Sequence, residues 1–361
     1  PKPSSAASDV YKRQGLGRTP VVGAFINEFL PWQDLLSYLD AILRVYNRYG
    51  RRDNKYKARI KILVKALTPE VFAEKVEAEM AHLRGGQTTL TDAEVHRVAK
   101  HFVDPDYKTL SNQDAELAAL DQQHPGFARW RTRNTLAHKK PGYVAVTLSL
   151  KPTGVAPGDV TDKQFDAIAD LADRYSFGQL RTSHEQNIIL ADVEQSQLFT
   201  LWGELRENGF ATPNIGLLTD IICCPGGDFC SLANAKSIPI AESIQRRFDD
   251  LDYLFDIGEL DLNISGCMNA CGHHHVGHIG ILGVDKKGEE FYQVSLGGSA
   301  SRDASLGKIL GPSFAQDDMP DVISKLIDVY VEQRTEDERF IDTYQRIGID
   351  LFKERVYAAN H

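Results

Sequence analysis

The placement of five cysteines constrains this 361-residue chain more than any other feature. Cys223, Cys224 and Cys230 lie in CCPGGDFCSLANAKSIP, and Cys267 and Cys271 lie in GCMNACGHHHVGHIG. The rest of the chain carries none. A formal charge of −9 argues against nucleic acid as a partner, because phosphate binding needs a basic face. No apolar run approaches the roughly 20 residues that span a bilayer. No secretory apolar region opens the chain, so the expected compartment is the cytoplasm. A reducing cytosol disfavours disulfides, and cysteine pairs at fixed spacing there read as metal ligands.

Five residues separate Cys224 from Cys230, and three separate Cys267 from Cys271. Four thiolates on two loops suit a 4Fe–4S cube, which takes one sulfur ligand per iron. Gly226, Gly227, Gly266 and Gly272 let the backbone come close and aim N–H groups at sulfur. Zinc is the competing metal, although its structural sites favour tighter spacing in the first pair. Buried thiols without a metal are the bland alternative. Cys223 reads as a small buried hydrophobe, since neighbouring side chains in an extended segment point apart. His273, His274, His275 and His278 invite a zinc assignment, but three in a row cannot all face one ion. Structural or supporting roles are favoured for them.

Residues 1–14 are small, polar and aperiodic, and read as a non-native leader. GLGRTPVVG then begins like the middle of a domain, as in an N-terminally truncated chain. Residues 15–103 read as helical. Leu35, Leu36, Leu39, Ile42, Leu43 and Tyr46 recur at helical spacing up to Gly50, a suitable helix-ending glycine. Thr68-Pro69 and the capping box Thr91 to Glu94 predict two more helix starts. Residues 104–140 read as an irregular linker around His124-Pro125-Gly126. In residues 141–212, a strand at YVAVTLSL precedes a helix capped by Thr161 and Gln164. A strand near Ile188–Leu190 and a helix ending at Gly209 follow. Strand–helix–strand–helix is half of a ferredoxin-like unit. Residues 213–361 hold both cysteine loops, a helix from Pro239 to Arg247, a hairpin about DKKG, and a helical tail with a capping box at Thr335 to Glu338. The expected class is α+β.

C-P-G-G-D-F-C-S-L-A from Cys224 and G-C-M-N-A-C-G from Gly266 resemble the siroheme and 4Fe–4S signature of the assimilatory sulfite and nitrite reductases. R-T-S-H-E-Q-N-I-I-L at 181–190 is similar to the macrocycle-contacting segment of that family's second ferredoxin-like half, and G-R-R-D-N-K-Y-K-A-R-I-K-I-L at 50–63 is similar to the end of its first siroheme-binding lobe. The likeness is greatest to bacterial sulfite reductase hemoprotein subunits. It implies the end of a first siroheme-binding lobe, a ferredoxin-like half-domain and a C-terminal siroheme and 4Fe–4S domain. It implies that Cys224, Cys230, Cys267 and Cys271 ligate the cluster and that Cys271 also ligates siroheme iron. Asn269, Arg181, Thr182, Gln186, Asn187, Arg51, Lys57 and Arg59 are the expected siroheme contacts.

Siroheme carries many carboxylates, and the basic stretch from Arg44 to Lys65 suits them; a solvated helix face is the alternative. The implied reaction is the six-electron reduction of sulfite to sulfide. Nitrite to ammonia on the same scaffold, or a heme-free 4Fe–4S electron-transfer protein, are the alternatives. The implied donor is a ferredoxin or an NADPH-flavoprotein. The family's substrate-binding Arg and Lys belong mostly to an N-terminal half and an R-K-x-K-type segment. Neither is found here, so the residues that bind the oxyanion are unassigned.

Overall fold

The computed structural model describes residues 17, 19–301 and 304–358, so the expected leader at 1–14 lies outside the described residues. The chain divides into two compact units, residues 1–107 and 108–361.

The first unit is helical: α1 (Leu35–Tyr49), α2 (Ile60–Leu67), α3 (Pro69–Met80) and α4 (Asp92–Ala99). Its core is Tyr38, Ala41, Val45, Leu63, Phe72, Val76 and Met80. α1 carries two adjacent apolar stripes and buries the one through Tyr38, Ala41 and Val45, with Ile42 and Tyr46 beside it. Leu36, Leu39 and Leu43, expected on the core face, are 46%, 47% and 62% exposed. Gly50 does end α1, but in an extended conformation (φ −69°, ψ 151°). Glycine is needed there for close approach, since a Cβ would meet Tyr46 O at 2.5 Å. Pro69 opens α3 as expected, whereas Thr68 makes no capping bond to the helix backbone. Its hydroxyl instead serves the Glu70 carboxylate, which it holds below its usual range. Thr91 caps α4, accepting from the Glu94 N–H at 3.2 Å.

The second unit begins with a correction. Residues 104–140, expected to be irregular, contain α5 (Asp114–Gln123), α6 (Pro125–Asn134) and β1 (Thr135–Ala137). His124-Pro125 is the junction between two helices, with proline at a first-turn position where its missing N–H costs nothing. Leu117, Phe127 and Trp130 leave α5 and α6 to enter the core of the next element group. That group holds β2 (Tyr143–Leu148), α7 (Asp162–Tyr175), β3 (Arg181–Thr182), β4 (Ile188–Glu194) and α8 (Leu198–Glu207). The sheet order is β1-β2-β4-β3, with every neighbouring pair antiparallel. The β2–α7–β3 crossover therefore leaves a gap that β4 fills, a split β-α-β arrangement. The capping box at Thr161 and Gln164 forms with both of its bonds, at 3.3 and 3.0 Å.

The cysteine-bearing part contains β5 (Ile222–Cys223), α9 (Gly226–Phe229), α10 (Ile238–Arg247), α11 (Leu251–Ile257), β6 (Leu262–Ser265), β7 (Ile279–Lys286), β8 (Glu289–Leu296) and β9 (Lys308–Ile309). Three helices close it: α12 (Met319–Gln333), α13 (Phe340–Ile347) and α14 (Asp350–Tyr357). The sheet order is β5-β6-β7-β8-β9. β5, β6 and β7 run parallel, and β7–β8 is the expected hairpin. Its two-residue turn, Lys287 and Gly288, has φ of 61° and 89°, as the twist of a tight hairpin requires. α10, α11 and α12 pack on the sheet through Ile240, Ile244, Leu254, Ile323, Leu326 and Ile327. The capping box expected at Thr335 does not open a helix. Glu338 does reach back to the Thr335 N–H (3.0 Å), but α13 starts only at Phe340, because Asp337 sits at φ 59°, outside the right-handed helical region. Among the described residues no helix is long and apolar enough to cross a membrane.

Candidate cofactor site

β5 and β6 are neighbours in register, with Ile222 opposite Asn263 and Cys223 opposite Ile264. Both cysteine loops therefore leave the carboxyl ends of adjacent parallel strands, the edge where open sheets of this kind bind ligands. The Cys224 N–H continues the ladder to Ile264 O at 3.1 Å. Its Sγ accepts the Gly266 N–H at 3.1 Å and lies 3.4 Å from Ser237 Oγ. In return, Asn234 and Ala235 donate to Gly266 O at 2.8 and 3.1 Å. Gly266, at the start of the second loop, is thus bonded to both ends of the first.

The glycines are what permit this. A Cβ on Gly226, which has φ +58°, would meet Ser237 N at 2.4 Å. One on Gly266 would meet Ala235 O at 2.6 Å, and one on Gly272 would meet Ile264 O at 1.9 Å. Between them, Cys230 closes the short turn of α9 through its N–H to Gly226 O at 2.9 Å. The second loop folds back on β6. Gly272 N–H donates to Ser265 Oγ (3.1 Å), and Asn263 Nδ2 donates to His273 O (3.1 Å). Ala270 and His273 sit at φ 57° and 56°, a left-handed conformation that side chains resist and that packing must hold.

Cys224 and Cys267 are buried, Cys230 is partly buried and Cys271 is exposed. Cys223 is 3% exposed within the sheet core, and burial pushes its thiol well above the usual range. That is the environment of the bystander expected from its position. Asn269 is exposed between the paired cysteines of the second loop.

The loop between β3 and β4 comes to the same edge. Gln186 gives its Nε2–H to Cys223 O and accepts the Cys223 N–H on Oε1, both at 2.8 Å. Asn187 donates to Asp220 Oδ1 (3.0 Å) and accepts from Leu150 N (3.1 Å). The side chains of these two expected siroheme contacts are thus engaged within the protein. Arg181 and Thr182 are exposed on β3. In the first unit, Arg51, Lys57 and Arg59 fall together in the loop joining α1 to α2. Arg51 is bound to Asp53, and Arg59 donates to Ala58 O at 2.9 Å.

Lys151 opens the turn-rich segment KPTGVAPGD, and no motif marks it. Its side chain is fully buried. The ammonium donates to Glu185 O, to Asp220 O at 3.3 Å and to Asp220 Oδ1 at 2.6 Å. Asp220 also accepts the Gly216 N–H at 2.9 Å. This pair joins the ferredoxin-like part to the strand that leads into Cys223.

The histidine run packs rather than gathers. His274 is 2% exposed, neither ring nitrogen has a hydrogen-bond partner, and its ring lies 3.9 Å from that of His275. Burial, with the charges of His275 and His273, pushes its pKa down to about 3. The unfolded chain, with an ordinary imidazole near 6.5, takes the proton first as pH falls. Stability from this group is complete above about 6.5 and declines toward pH 3, at up to about 1.4 kcal/mol per pH unit. Urea denaturation of the cofactor-free chain between pH 7.5 and 4.5 should show this slope, and His274→Phe should be shallower by that amount. Equal slopes would contradict the burial of a neutral imidazole. Among the described residues, no three His, Cys, Asp or Glu side chains gather as one bound ion requires. A 4Fe–4S cube makes a different demand, with each thiolate meeting its own iron.

Fold and loops together define a class: an α+β protein in which a ferredoxin-like half-domain precedes a parallel-edge domain with paired cysteine loops. The family described as "Nitrite and sulphite reductase 4Fe-4S domain" matches residues 13–83 and 217–360, and the "Nitrite/Sulfite reductase ferredoxin-like half domain" matches 137–208. The chain belongs to the nitrite and sulphite reductase family. It is 26% identical over 354 residues to sulfite reductase (ferredoxin) 2 of Mycolicibacterium paratuberculosis, covering 95% of this chain and 56% of that protein. It is 31% identical over 231 residues to the ferredoxin–nitrite reductase of Synechococcus elongatus, covering 59% and 42%. The solved structure of the Mycobacterium tuberculosis NirA protein shares the fold, with a TM-score of 0.66 at 24% identity over 94% of this chain and 57% of that one. The chain spans about half the length of the curated relatives it matches.

Proposed function

We propose that the chain is the cofactor-bearing part of a sulfite reductase that takes sulfite to sulfide. The observation that carries this reading is the interlock of the two cysteine loops at the carboxyl ends of β5 and β6, sealed by Gly266 N–H on Cys224 Sγ. Cys224, Cys230, Cys267 and Cys271 would hold a 4Fe–4S cluster, with Cys271 shared with siroheme iron. Siroheme with such a cluster would supply one-electron chemistry at iron for a small oxyanion.

The chain's own part is to orient and to shield. An N–H donated to a cysteine sulfur stabilises the thiolate and tunes the cluster. Phe229, Leu232 and Met268, 79%, 69% and 47% exposed on the two loops, would supply an apolar shell against water. Arg181, Thr182 and Asn269 would serve the macrocycle and its acids, and Arg51, Lys57 and Arg59 would meet further carboxylates. Gln186 and Asn187 would hold the loop that carries them. The donor would be a ferredoxin or an NADPH-flavoprotein, and the compartment the cytoplasm. Sulfite is preferred because sulfite reductases outnumber a nitrite reductase, that of Haloferax mediterranei, among the relatives reported that align over more than nine-tenths of this chain. Nitrite is the second reading, supported by the 31% identity to a nitrite reductase.

Anaerobic loading of the full chain with siroheme, iron and sulfide tests the proposal by visible absorption. A Soret band, a red-region band and broad cluster absorption are expected together. A broad shoulder alone would favour a heme-free electron carrier instead.

A further inference from the structure

We infer that Gln186 is a positioning residue for Cys224, an inference that rests on the cluster reading above. β5 is the edge strand of its sheet, so every second residue turns its N–H and C=O away from β6. Cys224 faces inward, with its N–H on Ile264 O at 3.1 Å. Cys223 faces outward, and the Gln186 side-chain amide meets its N–H and C=O at 2.8 Å each. A side chain thus completes the rung that a further strand would have made. The proposed ligand Cys224 is fixed from β6 on one side and, through Cys223, from the β3–β4 loop on the other.

The chain accepts backbone strain at this point. Gln186 has φ +60°, a conformation unfavourable for any residue with a Cβ. The conformation is supported on three sides. The Gln186 N–H donates to Ser183 O at 3.3 Å. Gly158, itself at φ +85°, leaves room for the Gln186 Cβ, and its own Cβ would come within 3.1 Å. The buried Lys151 ammonium ties Glu185 O, one residue before Gln186, to Asp220, three residues before Cys223. Two parallel ties, 185 to 220 and 186 to 223, make a clamp between the half-domain and the cysteine strand. Strain held by surrounding bonds at a site of this kind marks a segment whose position matters.

Gln186→Met keeps the bulk and removes both bonds. Gln186→Gly removes both bonds and relieves the strained φ, so it folds at least as readily in that loop. Two readouts separate the roles. In the cofactor-free full chain, amide exchange at Cys223 should rise about tenfold in both variants, the scale of a lost hydrogen-bonded pair. In the chain loaded with iron and sulfide, iron content should stay at the wild-type level while the reduced cluster's EPR g-values and midpoint potential shift. Unchanged Cys223 exchange would overturn the clamp. Faster exchange with identical g-values and potential would reduce Gln186 to a structural staple and overturn its positioning role. A wild-type chain that takes up no cluster would instead overturn the functional reading, with the exchange result still standing.

Discussion

Cys267→Ser is expected to cut iron and sulfide uptake by roughly tenfold or more, beyond the effect of losing a supporting hydrogen bond. Cys267 is buried in the loop that Gly272 and Ser265 hold against β6. Serine keeps that packing, because the turn runs through the Cys267 C=O, which accepts the Ala270 N–H at 3.1 Å, and the side chain is not part of the sheet core. What serine removes is a soft anionic ligand. Cys223→Ser is the informative companion, since it alters the neighbouring thiol of the first loop. Cys223 points into the sheet core and donates to Cys224 O at 3.2 Å. That variant should lose about 1 kcal/mol of stability or a little more and still take up the cluster. Iron and sulfide analysis of both variants, alongside urea denaturation, separates a ligand from a core residue. Equal uptake by Cys267→Ser and wild type would remove Cys267 from the ligand set.

Lys151→Met should destabilise the second unit by about 3–5 kcal/mol, the range for breaking one partner out of a buried ion pair. The effect is large because Asp220 is left behind. Its side chain is 6% exposed and retains only the Asn187 amide and the Gly216 N–H. Changing both partners should recover much of the loss, so Lys151→Met with Asp220→Asn is expected to lie well above Lys151→Met alone in urea midpoint. Neutral groups of similar volume can replace a buried pair at little net cost. A single variant as stable as wild type would show that the ammonium is not buried.

The cysteine loops, the hairpin turn and the Thr161 capping box were legible because each depends on residues close in sequence. The pairing that brings the two loops together was not. β5 is two residues long and carries no period, and its partner begins some forty residues later in the numbering. The helices at 114–134 were obscured by a polar, low-periodicity sequence. They form because Leu117, Phe127 and Trp130 find a core built by later strands. α1 misled in the opposite way, offering two apolar stripes where one is buried in its unit. The Thr335 box failed as a helix start because Asp337 turns left-handed, at φ 59°, although the Glu338 side chain still reaches the Thr335 N–H. Lys151 and Gln186 show the limit most clearly. Their partners lie on distant residues, the Asp220 carboxylate and backbone carbonyls for Lys151 and the Cys223 backbone for Gln186, and no residue pattern near either one announces them.

The chain loaded anaerobically with siroheme, iron and sulfide gives the most direct test of the central claim, that the two cysteine loops hold one cluster joined to siroheme through Cys271. EPR and Mössbauer spectra should show heme iron and cluster magnetically coupled in wild type and uncoupled in Cys271→Ser. Coupling that persists unchanged in Cys271→Ser, or a wild-type chain that never shows it, would contradict the account.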